Sequence, residues 1–148
     1  MPIELRTILL AEDNPKDREL TLEALAEHNL ANQITVVKDG VETMEFLRCE
    51  GKYKLRKPGH PAVLLLDIKM PRMDGIEVLR AIRSDPALKL LPVVMLTSSR
   101  EEQDLIKSYE LGINAYVVKP VDFKDFVEAV RLIGMFWAII NEVPPVGV

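Results

Sequence analysis

The chain has 148 residues, 48% hydrophobic and 28% charged, which is the makeup of one domain with a sizeable core. Nineteen basic against twenty-three acidic side chains leave a net charge of -4, and no basic block is long enough to follow a phosphate backbone, which argues against nucleic-acid binding. A single cysteine, Cys49, and two widely spaced histidines, His28 and His60, exclude a disulfide framework and a Cys/His zinc site.

The amino end carries Glu4 and Arg6 before a very short apolar run, without the core or cleavage site of a secretory signal, so a cytoplasmic location is expected. Short segments rich in Ile, Val, Leu and Met predict strands at residues 7–10, 34–37, 62–66, 92–96 and 115–118. Helices are predicted between them. Asn14-Pro15 reads as a cap and first helical residue ahead of Leu20, Leu22 and Leu25. Asp39-Gly40 leads into Val41, Met44, Phe46 and Leu47 at helical spacing, and Cys49 reads as a small, partly buried helix residue. The segment 51–61, with four basic residues and two prolines, reads as a solvated loop. Asp74 is placed to cap the third helix, Ser98 or Ser99 the fourth, and Gly112 marks that helix's stop. A fifth helix is expected from about residue 122 to about residue 141.

Strands that are apolar throughout and alternate with helices imply a parallel sheet covered on both faces by right-handed crossovers. The expected fold is a doubly wound, flavodoxin-like α/β domain with five helices and strand order 2-1-3-4-5. In that order a cleft opens where the carboxyl ends of the first and third strands meet. The domain is expected to span residues 1–142, leaving 143–148 as a tail.

At that edge the first strand runs into Glu12-Asp13, the third into Asp67, the fourth into Thr97 and the fifth into Lys119-Pro120. Neighbouring strands lie about 4.8 Å apart, which brings the acidic pair beside Asp67. Three carboxylates in a partly dehydrated pocket repel one another, so positive charge belongs among them. A hard divalent cation fits, Mg2+ best, because it keeps waters and takes one or two carboxylates together with phosphate oxygens. Lys119 adds a fixed charge. Such a pocket suits phosphoryl transfer, with Asp67 as the attacking oxygen, Thr97 as a hydroxyl donor, and backbone NH groups beyond the third and fourth strands as further donors.

"LLAEDN", "LLLDIKMPRMDG", "PVVMLTS" and "AYVVKP", in this order and spacing, resemble the receiver domain of two-component response regulators, over roughly residues 6 to 132. The resemblance implies that Asp67 is the phospho-acceptor and that a sensor histidine kinase is the donor. It also implies that Asp13 binds the metal directly, Glu12 through water, and that the backbone carbonyl of Lys69 completes the protein ligands. Thr97 and Tyr116 become the switch pair, Lys119 the phosphate partner, and Lys119-Pro120 a cis peptide. Lys69 departs from the smaller or neutral residues usual two places after the acceptor. Its side chain has two open roles, holding the phosphate or obstructing water.

Receivers are not ordinarily counted as enzymes, and none is expected here. The chain stops a few residues after the fifth helix, which reads as a stand-alone receiver acting through a partner or its own assembly. One stripe of that helix, Phe123, Phe126 or Val127, Val130, Ile133 and Trp137, is spaced to pack on the sheet; a second, Ala129, Leu132, Phe136 and Ile139, predicts a homodimer contact through the helix 5 face, within an expected signalling surface of helix 4, strand 5 and helix 5. The helix is too short and too charged to span a membrane. "SYELGINAYVVK" and "FW" further resemble small single-domain regulators paired with phytochrome-type kinases. The competing functions are a phosphorylation-independent scaffold and an aspartyl-phosphate phosphatase. The phosphatase would carry an acid two places after the nucleophile, where Lys69 stands. A flavin site is disfavoured by the acidic first turn, and a nucleotide P-loop is absent from the sequence.

Overall fold

The computed structural model describes residues 7–26, 33–108 and 115–132. Five parallel strands, β1 (Thr7–Ala11), β2 (Gln33–Val37), β3 (Val63–Asp67), β4 (Val93–Thr97) and β5 (Tyr116–Val118), form one sheet in the order β2-β1-β3-β4-β5. The helices are α1 (Pro15–Ala26), α2 (Gly40–Arg48), α3 (Gly75–Ser84), α4 (Arg100–Ser108) and α5 (Phe123–Leu132). This is the expected flavodoxin-like order, and each strand lies within a residue of its expected position.

β3 and β4 are buried at every position, which is why their sequences run apolar without alternation. Successive side chains still go to opposite faces. Leu64, Leu66 and Met95 join Met44, Val78, Leu79 and Ile82 under α2 and α3. Leu65, Val94 and Leu96 join Leu25 and Phe126 under α1 and α5. Truncating any such leucine to alanine costs about 2–5 kcal/mol.

The helices begin where the caps are. The Asp17 amide donates to Asn14 Oδ1 at 3.0 Å, and the Glu42 amide to Asp39 Oδ1 at 2.8 Å. Asp74 and Glu77 form a reciprocal capping box. Of the two serines before α4, Ser99 is the one that accepts from the first turn, from the Glu102 amide at 3.2 Å.

Three details differ from the sequence reading. Of the three α1 leucines only Leu25 is fully enclosed, while Leu20 is exposed. Cys49 caps the end of α2 in the left-handed region, with φ 53°, instead of lying within the helix. The loop after α2 is partly ordered around Arg56, which donates to the carbonyls of Phe46, Lys57 and Gly59. Residues 109–114, which include the expected stop at Gly112, and 133–148, which include the end of the fifth helix and the tail, lie outside the described residues.

Candidate functional site

Glu12 and Lys119 are held by sheet hydrogen bonds that run past the strand ends. The Glu12 amide donates to the Val37 carbonyl at 3.0 Å, one residue beyond β1, and the Lys119 amide donates to the Thr97 carbonyl at 2.8 Å, one residue beyond β5. Asp67 is the last residue of β3, opposite Leu96 of β4. The turn after it is packed tightly: the Gly75 amide donates to the Ile68 carbonyl at 2.7 Å, and a Cβ on Gly40 would overlap the Met73 carbonyl. Arg72 grips Asp39 with two hydrogen bonds, at 3.0 and 3.1 Å.

The side chains converge on one cleft. Glu12, Asp13 and Asp67 each offer a carboxylate oxygen, all within 4.8 Å of one another. Lys119 Nζ lies 2.7 Å from Glu12 Oε1, 3.0 Å from Asp67 Oδ1 and 3.2 Å from Asp17 Oδ2. Asp67 Oδ1 also accepts from the Ile68 amide at 2.9 Å. The cleft has a volume of about 270 Å³, and Lys69, Ser98 and Glu102 form its outer rim. A larger hollow of about 690 Å³ lies at the opposite edge of the sheet, among Thr7, Gln33, Arg56 and His60, with no carboxylate in its lining among the described residues.

Glu12 and Thr97 are fully buried and Asp67 nearly so. Burial pushes the Glu12 pKa up to about 7; Asp67 adds to the rise and Lys119 opposes it. Burial works against the charge on Lys119, but Glu12 and Asp67 outweigh it and hold its pKa above the usual lysine value. Glu12 Oε1 is sealed from water, and its contact with Lys119 falls outside hydrogen-bond alignment. One ammonium therefore leaves this carboxylate cluster under-compensated, and the donor set, oxygens only, fits a hard divalent cation.

The sequence-predicted residues Glu12, Asp13, Asp67, Thr97 and Lys119 are thus brought to one edge, and the Lys119-Pro120 peptide is cis. Tyr116 is half-buried against the core cluster beneath α2 and α3. Lys69 turns outward: its side chain is 84% exposed, with Nζ 3.8 Å from Glu102 Oε2. Ala129 is a correction to the sequence reading. Assigned there to an exposed contact stripe, it is 2% exposed and packs in the core with Phe126, three residues earlier on the same helix face. Of the same stripe, the Leu132 side chain, Phe136 and Ile139 lie outside the described residues.

Two site residues were missed from the sequence. Asp17, one helical turn beyond the Asn14 cap, supplies the third carboxylate around Lys119. Glu102, three residues after Ser99, has the spacing of a capping box, which was the available signal.

Residues 8–131 match the response regulator receiver domain. The chain belongs to that family. Response regulator Rcp1 of Synechocystis sp. is 39% identical over 132 residues, covering 89% of this chain and 88% of its own. Among solved structures, the bacteriophytochrome response regulator AtBRR is 56% identical with a TM-score of 0.89, covering 94% of this chain and 99% of its own. The phosphorylated cyanobacterial phytochrome response regulator RcpA is 40% identical with a TM-score of 0.72, covering 90% and 94%. Rcp1 itself is known in a Mn(2+)-bound form, 38% identical over 94% of this chain and 97% of that one, with a TM-score of 0.71.

The chain is accordingly a receiver of phosphorelay signalling, a role in which a histidine kinase is the partner and a divalent metal occupies the acidic pocket. No described helix is long and apolar enough to cross a membrane.

Proposed function

We propose that Asp67 is the phospho-acceptor and that Mg2+ is the metal, held by Asp13 and Asp67 directly, by Glu12 through water, and by the backbone carbonyl of Lys69. One observation carries this reading: Asp67 Oδ1 stands 3.0 Å from Lys119 Nζ and shares a cluster with two further carboxylates. When bound, the cation supplies positive charge to the phosphoryl oxygens and offsets the carboxylates. The chain's own residues do the rest.

An Asp67 oxygen attacks the phosphorus of a kinase phosphohistidine; a new P–O bond forms, the P–N bond breaks, and its electron pair returns to the imidazole. Asp67 can be held in line because it ends a strand buried on both faces and bonds to the Ile68 amide. Lys119 then pairs with the acyl phosphate, Thr97 donates its hydroxyl to it, and Tyr116 turns inward as Thr97 moves. The phosphoryl group stays on the chain as a signal, so the protein acts as a switch and not as an enzyme. Lys69 at the place of a phosphatase acid, and the intact cluster around Asp67, disfavour the phosphatase and the scaffold.

The relatives' names and the segments 108–119 and 136–137 support a phytochrome-type kinase as donor. A homodimer through the face of the fifth helix, with Leu132, Phe136 and Ile139 in the contact, is the route to output. Changing Phe136 and Ile139 together to Glu shifts the sedimentation coefficient toward monomer, and an unchanged mass removes the dimer. The main reading is tested with acetyl phosphate and Mg2+ by intact mass. Wild type gains one phosphate and Asp67→Asn gains none; equal labelling of the two overturns the assignment.

A further inference from the structure

We propose that Glu102 is a built-in anion that occupies the outer donors of the cleft while Asp67 is unphosphorylated, and that it must let go of them when Asp67 is loaded. The proposal deepens the phospho-acceptor reading and rests on it. Glu102 Oε1 accepts from the Ser98 amide at 2.7 Å and from the Ser98 hydroxyl at 3.0 Å. Its other oxygen faces Lys69 Nζ at 3.8 Å. Glu102, Ser98 and Lys69 all line the cleft that holds Asp67 and Lys119. Ser98 is the first residue beyond β4, and β4 lies against β3 with Leu96 opposite Asp67, so the captured amide stands beside the acceptor strand's end.

A capping box needs only that the Glu at the third helical position reach back to the cap residue. Here the cap is Ser99, yet the carboxylate goes one residue further, to Ser98. It has two charge-assisted bonds there, and its side chain is 12% exposed. The loose contact with exposed Lys69 adds little of its own.

A phosphoryl group on Asp67 brings close to two negative charges into the same cleft and seeks the same donors. Glu102 then both repels it and competes with it for the Ser98 amide. Because Glu102 belongs to the first turn of α4, releasing the carboxylate frees that turn. Loading of Asp67 is in this way coupled to the start of α4 by a residue that is not a ligand of the phosphate.

The test compares wild type, Glu102→Gln and Glu102→Ala in the rate of labelling by acetyl phosphate with Mg2+, followed by intact mass. In that step an Asp67 oxygen attacks phosphorus and acetate leaves with the electron pair. Gln keeps an acceptor for Ser98 and loses the charge, so a purely structural cap leaves its rate unchanged. The expected result is labelling about three- to tenfold faster in Glu102→Gln, with the ratio to wild type shrinking at high salt. Glu102→Ala gains similarly while melting earlier. Equal or slower labelling of Glu102→Gln, or a gain confined to Glu102→Ala, overturns the proposal. Failure of wild type to take up phosphate removes the acceptor reading and this one with it, an outcome distinct from normal wild-type labelling with no gain in Glu102→Gln.

Discussion

Gly75 lies against the backbone of Asp67: a Cβ at position 75 would overlap the Asp67 carbonyl oxygen and come within 2.8 Å of Ile68 Cα. The Asp74-Gly75 pair therefore does two jobs. The aspartate caps α3, and the glycine lets that helix start close beneath the end of β3.

Gly75→Ala is expected to push the Asp67 backbone out of register and to destabilise the protein by about 2 kcal/mol, since rigid backbone, not a flexible side chain, is what must move. Urea unfolding measures the loss. Labelling by acetyl phosphate should fall in parallel. Full labelling with unchanged stability would show that the turn yields easily.

The raised pKa of Glu12 has a definite sign. An acid whose folded pKa, about 7, exceeds its ordinary value of 4.5 favours the folded state fully below about pH 4.5, and that contribution is lost as pH rises through about 7. Metal-free wild type should thus lose stability relative to Glu12→Gln across that window, by an amount on the order of 3 kcal/mol. Saturating Mg2+ should restore wild type near pH 7.5, and EDTA should remove the gain. Parallel pH profiles for the two proteins would show that Glu12 ionises freely.

The sheet order was legible because strands buried on both faces leave unbroken apolar runs, and β3 and β4 are buried at every position. The cluster was legible because parallel strands put all their carboxyl ends on one edge, so Glu12, Asp67, Thr97 and Lys119 needed only the order to be brought together. Ala129 was misread for a geometric reason. Two apolar stripes about 100° apart on one helix do not reveal which of them faces the sheet, and a small residue sits readily where helix and sheet come closest. Asp17 and Glu102 were missed because their roles depend on how far a side chain reaches back from a helix's first turn, which spacing alone does not disclose.

Arg72 joins two effects that substitution can separate. It pairs with Asp39 across the turn after β3, and its backbone is in the left-handed region with φ 65°. Arg72→Ala loses the pair and keeps the strain, whereas Arg72→Gly loses the pair and relieves it. The glycine variant should be the more stable of the two by about 1 kcal/mol. Thermal unfolding of both, against wild type, checks this. Equal melting temperatures would mean that the turn relaxes once the ion pair is gone.

Lys119 is the cation that lets buried Glu12 and Asp67 face each other, at 2.7 and 3.0 Å from its ammonium. Lys119→Met keeps much of the side-chain volume and removes the charge, leaving two carboxylates with no counter-charge between them. Breaking one side of a buried ion pair costs about 3–5 kcal/mol. In EDTA that cost should grow as pH rises, because protonation of Glu12, which the loss of Lys119 favours further, relieves the repulsion at lower pH. Mg2+ should recover more stability in Lys119→Met than in wild type, since the added cation then does the work of two. The measurement is denaturant unfolding of both proteins with and without Mg2+; an equal gain from Mg2+ in the two would show that Lys119 and the cation act on different carboxylates.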